Sequence, residues 1–329
     1  MGRIRLSYIL RRIAGAVLTL WVALTLNFLL PRVMGGDPAD YIASQVAMGS
    51  HEFANALRVQ FGLDKSIAEQ YWLYMVNLTQ GNLGISFSIF PVPVSTIITR
   101  AIPWTLMIVL SATLISFAIA WVLGTLAALK KGKAFDQIVV GASFYIQSTP
   151  YFFIGMLILM GLGFYLGWFP ISHAMPFGIP PGTPWFRLIG PIMYHAFLPV
   201  LSIIVVSLAG RMVMMRSNVL QIFSEDYITL AQAKGLKRSK ILMKYALRNA
   251  LLPSFTGLML SLGSAVGGAI TTEIIFSYPG IGLTIMNAIF NHDYPLIQGC
   301  FAIIALCVVT MNLLADFIYP LLDPRVNLT

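Results

Sequence analysis

Six stretches of mostly apolar residues, each long enough to cross a lipid bilayer as a helix, dominate the sequence. The hydrocarbon core of a bilayer is about 30 Å thick and needs about 20 apolar residues in a helix. The stretches cover approximately residues 9–30, 103–129, 137–168, 193–215, 251–276 and 298–320. Hydrophobic residues make up 58% of the chain and charged residues only 10%. We therefore expect an all-α integral membrane protein with six transmembrane helices.

The basic residues are distributed unevenly between the two sides of such a bundle. If the N-terminus lies in the cytoplasm, 16 of the 21 Lys and Arg residues lie on the cytoplasmic side, including Arg211 at the end of the fourth stretch. Cytoplasmic loops of membrane proteins carry an excess of Lys and Arg. The pattern predicts a multi-pass protein with both termini in the cytoplasm. It also explains the net charge of +9 without a nucleic-acid partner.

Two longer polar segments separate the spans. After an N-terminal transmembrane helix in residues 1–30, residues 31–102 are expected outside the cytoplasm. Within them FANALRVQFGL and SIAEQYWLYMV have the pattern of short amphipathic helices, and Pro91 and Pro93 close the segment before the second span. This segment forms either a packed cap on the bundle or part of a docking surface. The other polar segment, residues 217–250, is expected in the cytoplasm.

The cytoplasmic segment contains DYITLAQAKGLKRSK, residues 226–240, which predicts a helix of about three turns. Ser224 is the expected N-cap, with Glu225 and Asp226 placing negative charge at the first turn. Gly235 suits the position just past a helix end. The residues that recur at three- and four-residue spacing to form an apolar stripe are Tyr227, Leu230, Ala231 and Lys234. A second helix is expected to run from about residue 239 towards Pro253.

A helix this short is marginally stable alone in water, so its stripe should contact either anionic lipid or a protein partner. The chain lacks the nucleotide-binding pattern G-x-x-x-x-G-K-[ST], because Ala127 and Ala134 stand where Gly and Ser or Thr are required around Gly132-Lys133. A separate subunit must bind ATP if ATP drives the protein. No catalytic constellation and no metal-ligand spacing is evident, so we expect neither an enzyme nor a metal site.

Polar groups at membrane depth are candidates for a substrate pathway, because each is costly unless it faces protein or water. Glu273, beside Thr271 and Thr272, lies near the outer end of the fifth stretch, and Ser264 lies deeper. Glu273 either lines the pathway and meets a substrate amine, or is a structural carboxylate tied to a nearby amide or basic group. The following SYPGIGLTIMNAIF predicts a helix break at Pro279-Gly280.

Several segments resemble the permease subunits of binding-protein-dependent ABC importers, specifically the first permease of the dipeptide/oligopeptide/nickel family. DYITLAQAKGLKRSKILMKYALRNALLP is similar to the family's EAA loop, with Ala231 and Gly235 at its second Ala and its Gly, while Thr229 and Leu230 replace its Glu and first Ala. Further similar segments follow in the expected order over nearly the whole chain: LSYILRRIAGAVLTLWVALTLNFLLPRVMGGDPA, FGLDKSIAEQYWLYMVNLTQGNLGISF, TEIIFSYPGIGLTIMNAIFNHDYPLIQG and LLDPRV.

The resemblance implies a type I importer transmembrane domain in the inner membrane. Residues 103–329 would form a five-helix permease core, and residues 224–238 the coupling helix that contacts an ATPase subunit. The implied partners are a homologous second permease, two cytoplasmic ATPases that bind ATP and Mg, an extracytoplasmic substrate-binding protein, and lipid. The implied substrates are di- or oligopeptides, with oligosaccharides of the β-glucoside type and nickel chelates as alternatives.

Two other classes of membrane protein are compatible with six spans. A secondary transporter would normally need ion-coupling carboxylates near the midplane and often an internal repeat, and neither is evident. A channel or membrane receptor is the other alternative. Neither class explains a short cytoplasmic helix that is followed by Gly235 and a basic second helix.

Overall fold

The computed structural model describes residues 6–33, 35, 37–45, 51–60, 62–180, 182–267 and 269–322. The secondary structure of these residues is helical, apart from one isolated antiparallel bridge between Ile85 and Pro93. The longest helices are α1 (Leu6–Val33), α5 (Val94–Leu129), α8 (Trp185–Phe223) and α14 (Tyr294–Leu322). Among the described residues these four are long and apolar enough to cross a membrane, and the number is five if one bent pair counts as a span.

That bent pair covers most of the third apolar stretch, residues 137–168, whose length allowed for a tilt or an interfacial turn before Trp168. Helix α6 (Ala134–Ser148) ends before Pro150, and the chain bends by 104° between α6 and α7 (Tyr151–Ile158). Helix α7 then continues as a π-helical segment, Leu159–Tyr165. Proline lacks an amide hydrogen and forces the preceding residue out of the helical conformation. Thr149 accordingly has φ −88° and ψ 131°. The break lies at Pro150, which interrupts the apolar run.

The fifth apolar stretch is also interrupted. The chain leaves α9 (Asp226–Ala233) through α10 (Arg238–Lys240) and a π-helical segment, Ile241–Ala246, into α11 (Leu247–Gly263). A 3₁₀ turn, Ser264–Gly267, then precedes α12 (Ile270–Ile275). Pro253 lies inside α11, so the second helix does not end there. Gly267 and Gly268 fall between α11 and α12, and glycine has low helix propensity, so the apolar stretch 251–276 is divided rather than one continuous helix.

Helices α5 and α8 form the centre of the bundle and run in the same direction. Ile108 and Leu198 share a buried cluster, and further along both helices Gly124 lies against Met212. A methyl group at Gly124 would lie 2.7 Å from the Met212 carbonyl oxygen, so this close approach requires glycine. Both helices extend well beyond the apolar stretches that predicted them.

Arg211 therefore does not lie at the end of the fourth helix, as the sequence suggested. Helix α8 continues from Arg211 to Phe223. The Arg211 side chain contacts Ser116 in the middle of α5 rather than a helix end. The prediction was wrong because a hydropathy limit marks where a chain becomes more polar, not where its helix ends. The segment after Arg211 contains Arg216, Ser217, Asn218 and Gln221 but remains helical.

The described part of residues 38–93, which we call the cap, covers the end of the bundle where α1 ends and α5 and α14 begin. It contains α2 (Pro38–Gln45), α3 (His51–Gln60) and α4 (Ile67–Thr79), which confirms the two predicted amphipathic helices. Helix α4 begins with a capping box between Ser66 and Glu69, in which the hydrogen bonds from Ser66 lower the pKa of the Glu69 carboxyl.

Specific polar contacts fix the cap to the bundle. Asn27 on α1 donates a hydrogen bond to the Tyr74 hydroxyl on α4 at 3.0 Å and another to the Gln298 carbonyl on α14 at 2.8 Å. The fully buried Asp293 carboxylate accepts hydrogen bonds from the hydroxyls of Ser86 and Ser88 at 2.5 and 2.7 Å. The loop before α5 is thereby tied to the beginning of α14.

Candidate functional site

Helix α9 lies at the bundle end opposite the cap, directly after α8. It is held there by a narrow apolar contact, because Ile228 is fully buried and Ala231 is 4% exposed. These two side chains pack against Ile241 and Ala246 of the π-helical segment that follows. The rest of α9 is exposed, so the helix presents one side to whatever surrounds the bundle.

The predicted stripe is divided between the two sides of α9. Ala231 faces the bundle, whereas Tyr227, Leu230 and Lys234 are exposed, with Leu230 at 56%. Sequence reasoning missed Ile228, which anchors the helix. Its signal was the three-residue spacing to Ala231, but the stronger stripe through Leu230 obscured it. Tyr227, Leu230 and Lys234 together form the outward face, the name used for them below.

The two ends of α9 were predicted with different success. Ser224 is not its N-cap: it ends α8, and its hydroxyl donates to the Gln221 carbonyl at 2.6 Å. Glu225 occupies the N-cap position in an extended conformation and makes no side-chain capping bond. The expectation was wrong because α8 extends beyond its apolar stretch and Ser224 forms the C-cap of α8. Gly235 follows the helix end with φ +70°, which confirms the expected glycine position.

The outward face is also fixed to α11. The Asn249 side-chain amide on α11 donates to the Tyr227 hydroxyl at 2.9 Å. Helix α9 therefore contacts α8, the π-helical segment and, through this bond, α11. A force on the outward face would therefore be transmitted to these three elements. Lys237 and Lys240 beyond it are exposed, whereas the side chain of Arg238 lies outside the described residues.

The second candidate cluster surrounds Glu273, whose side chain is fully buried at the break between α12 and α13 (Ile281–Phe290). One carboxylate oxygen accepts a hydrogen bond from the Thr105 hydroxyl at 2.7 Å. The other accepts the backbone amides of Gly282 and Leu283 at 2.6 and 3.1 Å. Glu273 thus satisfies amides in the first turn of α13 from a neighbouring helix, a position where negative charge is favourable.

Two glycines and a threonine make this arrangement possible. A methyl group at Gly280 would lie 2.4 Å from both the Glu273 carboxylate and the Thr105 hydroxyl, and one at Gly282 would lie 2.6 Å from the Cα of Ile270. The Thr105 hydroxyl also accepts the Ile281 amide at 2.8 Å. The helix break predicted at Pro279-Gly280 is confirmed.

The geometry supports the structural alternative for Glu273, because hydroxyl and amide donors occupy both oxygens. Thr272 is buried beside the Tyr151 hydroxyl, and Thr271 is exposed. Ser264 begins the 3₁₀ turn, but its side chain lies outside the described residues. Among the three whose side chains the structure describes, Glu273 and Thr272 are buried and Thr271 is not, and a pathway role for the four residues stays a prediction.

Comparison with known proteins identifies similar chains over nearly the full length. The family model described as "Binding-protein-dependent transport system inner membrane component" matches residues 120–328, and the corresponding N-terminal model matches residues 5–109. The di/tripeptide transport system permease protein DppB of Pseudomonas aeruginosa is 35% identical over 98% of this chain and 99% of its own. The oligopeptide transport system permease protein AppB of Bacillus subtilis is 33% identical, with the same coverage.

Proposed function

The chain belongs to the family of binding-protein-dependent transport system inner membrane components, and from this premise we propose that it is a permease subunit of an ABC importer for peptides. The full-length similarity to permeases named for dipeptides, tripeptides and oligopeptides supports peptide as the substrate class. Oligosaccharides and nickel chelates remain alternative cargoes for the same machinery. The long apolar helices fit a multi-pass protein of the inner membrane.

The single observation that carries the coupling role is the outward face of α9. An exposed leucine and tyrosine on a short helix, anchored by Ile228 beneath them, form a small rigid contact surface. This chain has no nucleotide-binding motif. We therefore infer that two cytoplasmic ATPase subunits bind ATP and Mg and that one of them receives Tyr227, Leu230 and Lys234, with Ala231 and Gly235 shaping the helix.

The proposed topology has six membrane crossings with both termini in the cytoplasm. In addition to the four long helices, the bent pair α6–α7 and the interrupted pair α11–α12 would each contribute a crossing. The excess of Lys and Arg at the α9 end of the bundle supports this orientation. Residues 1–30 would then be the N-terminal span, residues 31–102 the extracytoplasmic segment, and residues 103–329 the permease core.

The cap is the proposed docking surface for an extracytoplasmic substrate-binding protein. A cleft of about 440 Å³ lies between α1, α4 and the beginning of α14, and Arg32, Tyr74 and Asn77 are among its lining residues. Phe90, one of its lining residues, is 55% exposed, and Trp72 on α4 is 69% exposed. A homologous second permease would complete the translocation pathway in the membrane.

Reconstitution tests the proposed function. The chain, its partner permease and the ATPase subunits are assembled in proteoliposomes, and uptake of labelled dialanine is measured with the substrate-binding protein and ATP. We expect uptake that requires both and is blocked by vanadate, and no uptake by the chain alone. Uptake by the chain alone, or uptake of an oligosaccharide but not of any peptide, would contradict the proposal.

A further inference from the structure

Arg211 is a cation in the interior of the bundle, and its hydrogen bonds to the described residues all come from one nitrogen. Its Nη1 donates to the hydroxyls of Ser116 and Ser207 and to the Thr113 carbonyl, the last two at 3.3 and 3.5 Å. Its guanidinium carbon lies 4.2 Å from the centre of the Phe117 ring. No described residue accepts a hydrogen bond from its Nε or Nη2.

The guanidinium lies deep in the membrane region. Ser116, its partner on α5, is about 20 Å from Leu129 along the helix at 1.5 Å per residue. Lys130, Lys131 and Lys133 follow Leu129 and mark the polar boundary at that end. Since the hydrocarbon core is about 30 Å thick, Arg211 reaches well into it rather than to its edge.

The direction of the side chain is unusual for a membrane arginine. Long basic side chains near a boundary normally extend towards the headgroups. Arg211 instead bonds Ser207, one turn earlier on α8, so it points away from the polar end of the bundle where Arg216 pairs with Asp136. The two serine hydroxyls and the Phe117 ring hold it inside. The fold therefore places this cation at depth by specific contacts.

No carboxylate neutralises this charge within the described residues. Asp136 is engaged by Arg216 at 2.5 and 2.8 Å, and Glu273 is held by Thr105 and backbone amides. Asp316 and Asp323 are the two acids whose side chains the structure does not describe. A cation at membrane depth with no carboxylate partner among the described residues is costly and is a candidate for ligand binding.

We propose that Arg211 binds the carboxylate of the transported peptide, an inference that rests on the proposed function. A guanidinium can hold a carboxylate with two parallel N–H donors, and Nε and Nη2 form such a pair. Every linear peptide with a free C-terminus carries a carboxylate there, whatever its side chains, so one fixed cation can serve many sequences. A carboxylate of the second permease is the other possible source of the same chemistry.

Chemical rescue in the assembled transporter tests this site. Arg211→Cys is made in a chain that also carries Cys300→Ala and Cys307→Ala, and dialanine uptake is measured in proteoliposomes. We expect at least a tenfold loss of uptake. A cationic aminoethyl methanethiosulfonate should restore much of it, and an anionic sulfonatoethyl reagent should not. Arg187→Cys, at an exposed position on the same helix, should retain uptake.

Substrate protection distinguishes the two carboxylate sources. If peptide binds at Arg211, dialanine with its binding protein should slow modification of Arg211→Cys at least severalfold, while modification of Arg187→Cys is unchanged. The cysteine-free parent with the same partners controls for reagent effects on other subunits. Arg211→Lys should keep more uptake than Arg211→Gln, with ATPase co-purification intact in both.

Three results would overturn the proposal. Normal uptake by Arg211→Cys would remove the role of the cation. A cysteine at position 211 that is never modified, together with loss of ATPase co-purification in Arg211→Gln, would assign the charge to subunit assembly. If the parent complex transports ATP-dependently but accepts no peptide, the peptide assignment and the Arg211 proposal both fail. If the parent complex imports peptide but the Arg211 variants give either of the first two results, only the Arg211 proposal fails and the proposed function is intact.

Discussion

At the residue scale, Glu273 shows how a side chain can be singled out in the sequence while its role stays open between two alternatives. Its charge within an apolar stretch made it a candidate for contact with substrate. Its role depends on Thr105, which lies 168 positions away in the sequence, and on the amides of a helix that begins after Pro279. Neither partner is evident without the fold. Gly280 and Gly282 gave the missing signal, because glycines beside a buried acid indicate close approach.

We predict that Glu273→Ala destabilises the protein strongly and Glu273→Gln less so. Alanine leaves the Gly282 and Leu283 amides buried without an acceptor, which costs about 1–3 kcal/mol for each group. Glutamine keeps one acceptor oxygen. Thermal stability of the purified complex measures the effect, with the exposed neighbour Thr271→Ala as the control. If Glu273→Gln left stability unchanged but abolished uptake of peptides with a free amine, the carboxylate would belong to the pathway.

Gly282→Ala should destabilise the protein because of a backbone clash. The added methyl group would lie 2.6 Å from the Cα of Ile270, and neither backbone can move easily. Overpacking of this kind costs about 1–3 kcal/mol. Gly141→Ala on α6 is the matched control, since a methyl group there meets nothing within 4 Å. Equal melting temperatures for the two variants would contradict the close packing around Glu273.

At the element scale, the existence of helix α9 could be predicted from the sequence, whereas its packing against the bundle could not. The existence of a short helix and its glycine terminus followed from local rules, because these depend on neighbouring residues. Which side of the helix faces the bundle depends on Ile241 and Ala246 in the next segment. Hydropathy could not place the break at Pro150 in the third apolar stretch, or the one before α12 in the fifth, because it does not register the backbone effects of proline and glycine.

The φ angle of Gly235 leads to a graded prediction. Valine is disfavoured by about 1–2 kcal/mol in the left-handed conformation, which asparagine tolerates better. Because no atom lies near the Gly235 Cβ position, a steric clash should not contribute. We expect Gly235→Val to insert normally but to lose ATPase co-purification and peptide uptake, with Gly235→Asn intermediate. Co-purification of the ATPase with Gly235→Val at the wild-type level would argue against a role for the Gly235 conformation in ATPase binding.

The two sides of α9 should respond differently to alanine. Ile228→Ala removes a fully buried side chain, and such changes cost about 2–5 kcal/mol, so the bundle end should become more susceptible to proteolysis. Leu230→Ala removes an exposed side chain and should leave proteolysis unchanged while weakening ATPase binding. Limited proteolysis and ATPase pull-down separate the two effects. The reverse pattern would mean that the outward face has been assigned to the wrong side.

At the scale of the whole molecule, the bundle places a polar cap at one end and α9 at the other. The apolar stretches predicted the four long helices well, because membrane length is a strong constraint on sequence. They did not predict that α5 and α8 extend beyond their apolar parts, or that Arg211 consequently reaches the bundle interior. Side-chain contacts between distant helices are fixed by the complete fold, and local patterns contain little information about them.

Photo-crosslinking at α9 tests the central claim most directly. A benzoylphenylalanine residue replaces Leu230 in the assembled transporter, and the same residue replaces the half-exposed Leu73 in the cap as the control. We predict that irradiation joins position 230 to an ATPase subunit and that position 73 gives no such product. A crosslink to the ATPase from position 73, with none from position 230, would contradict both the orientation of the chain and the coupling role of α9.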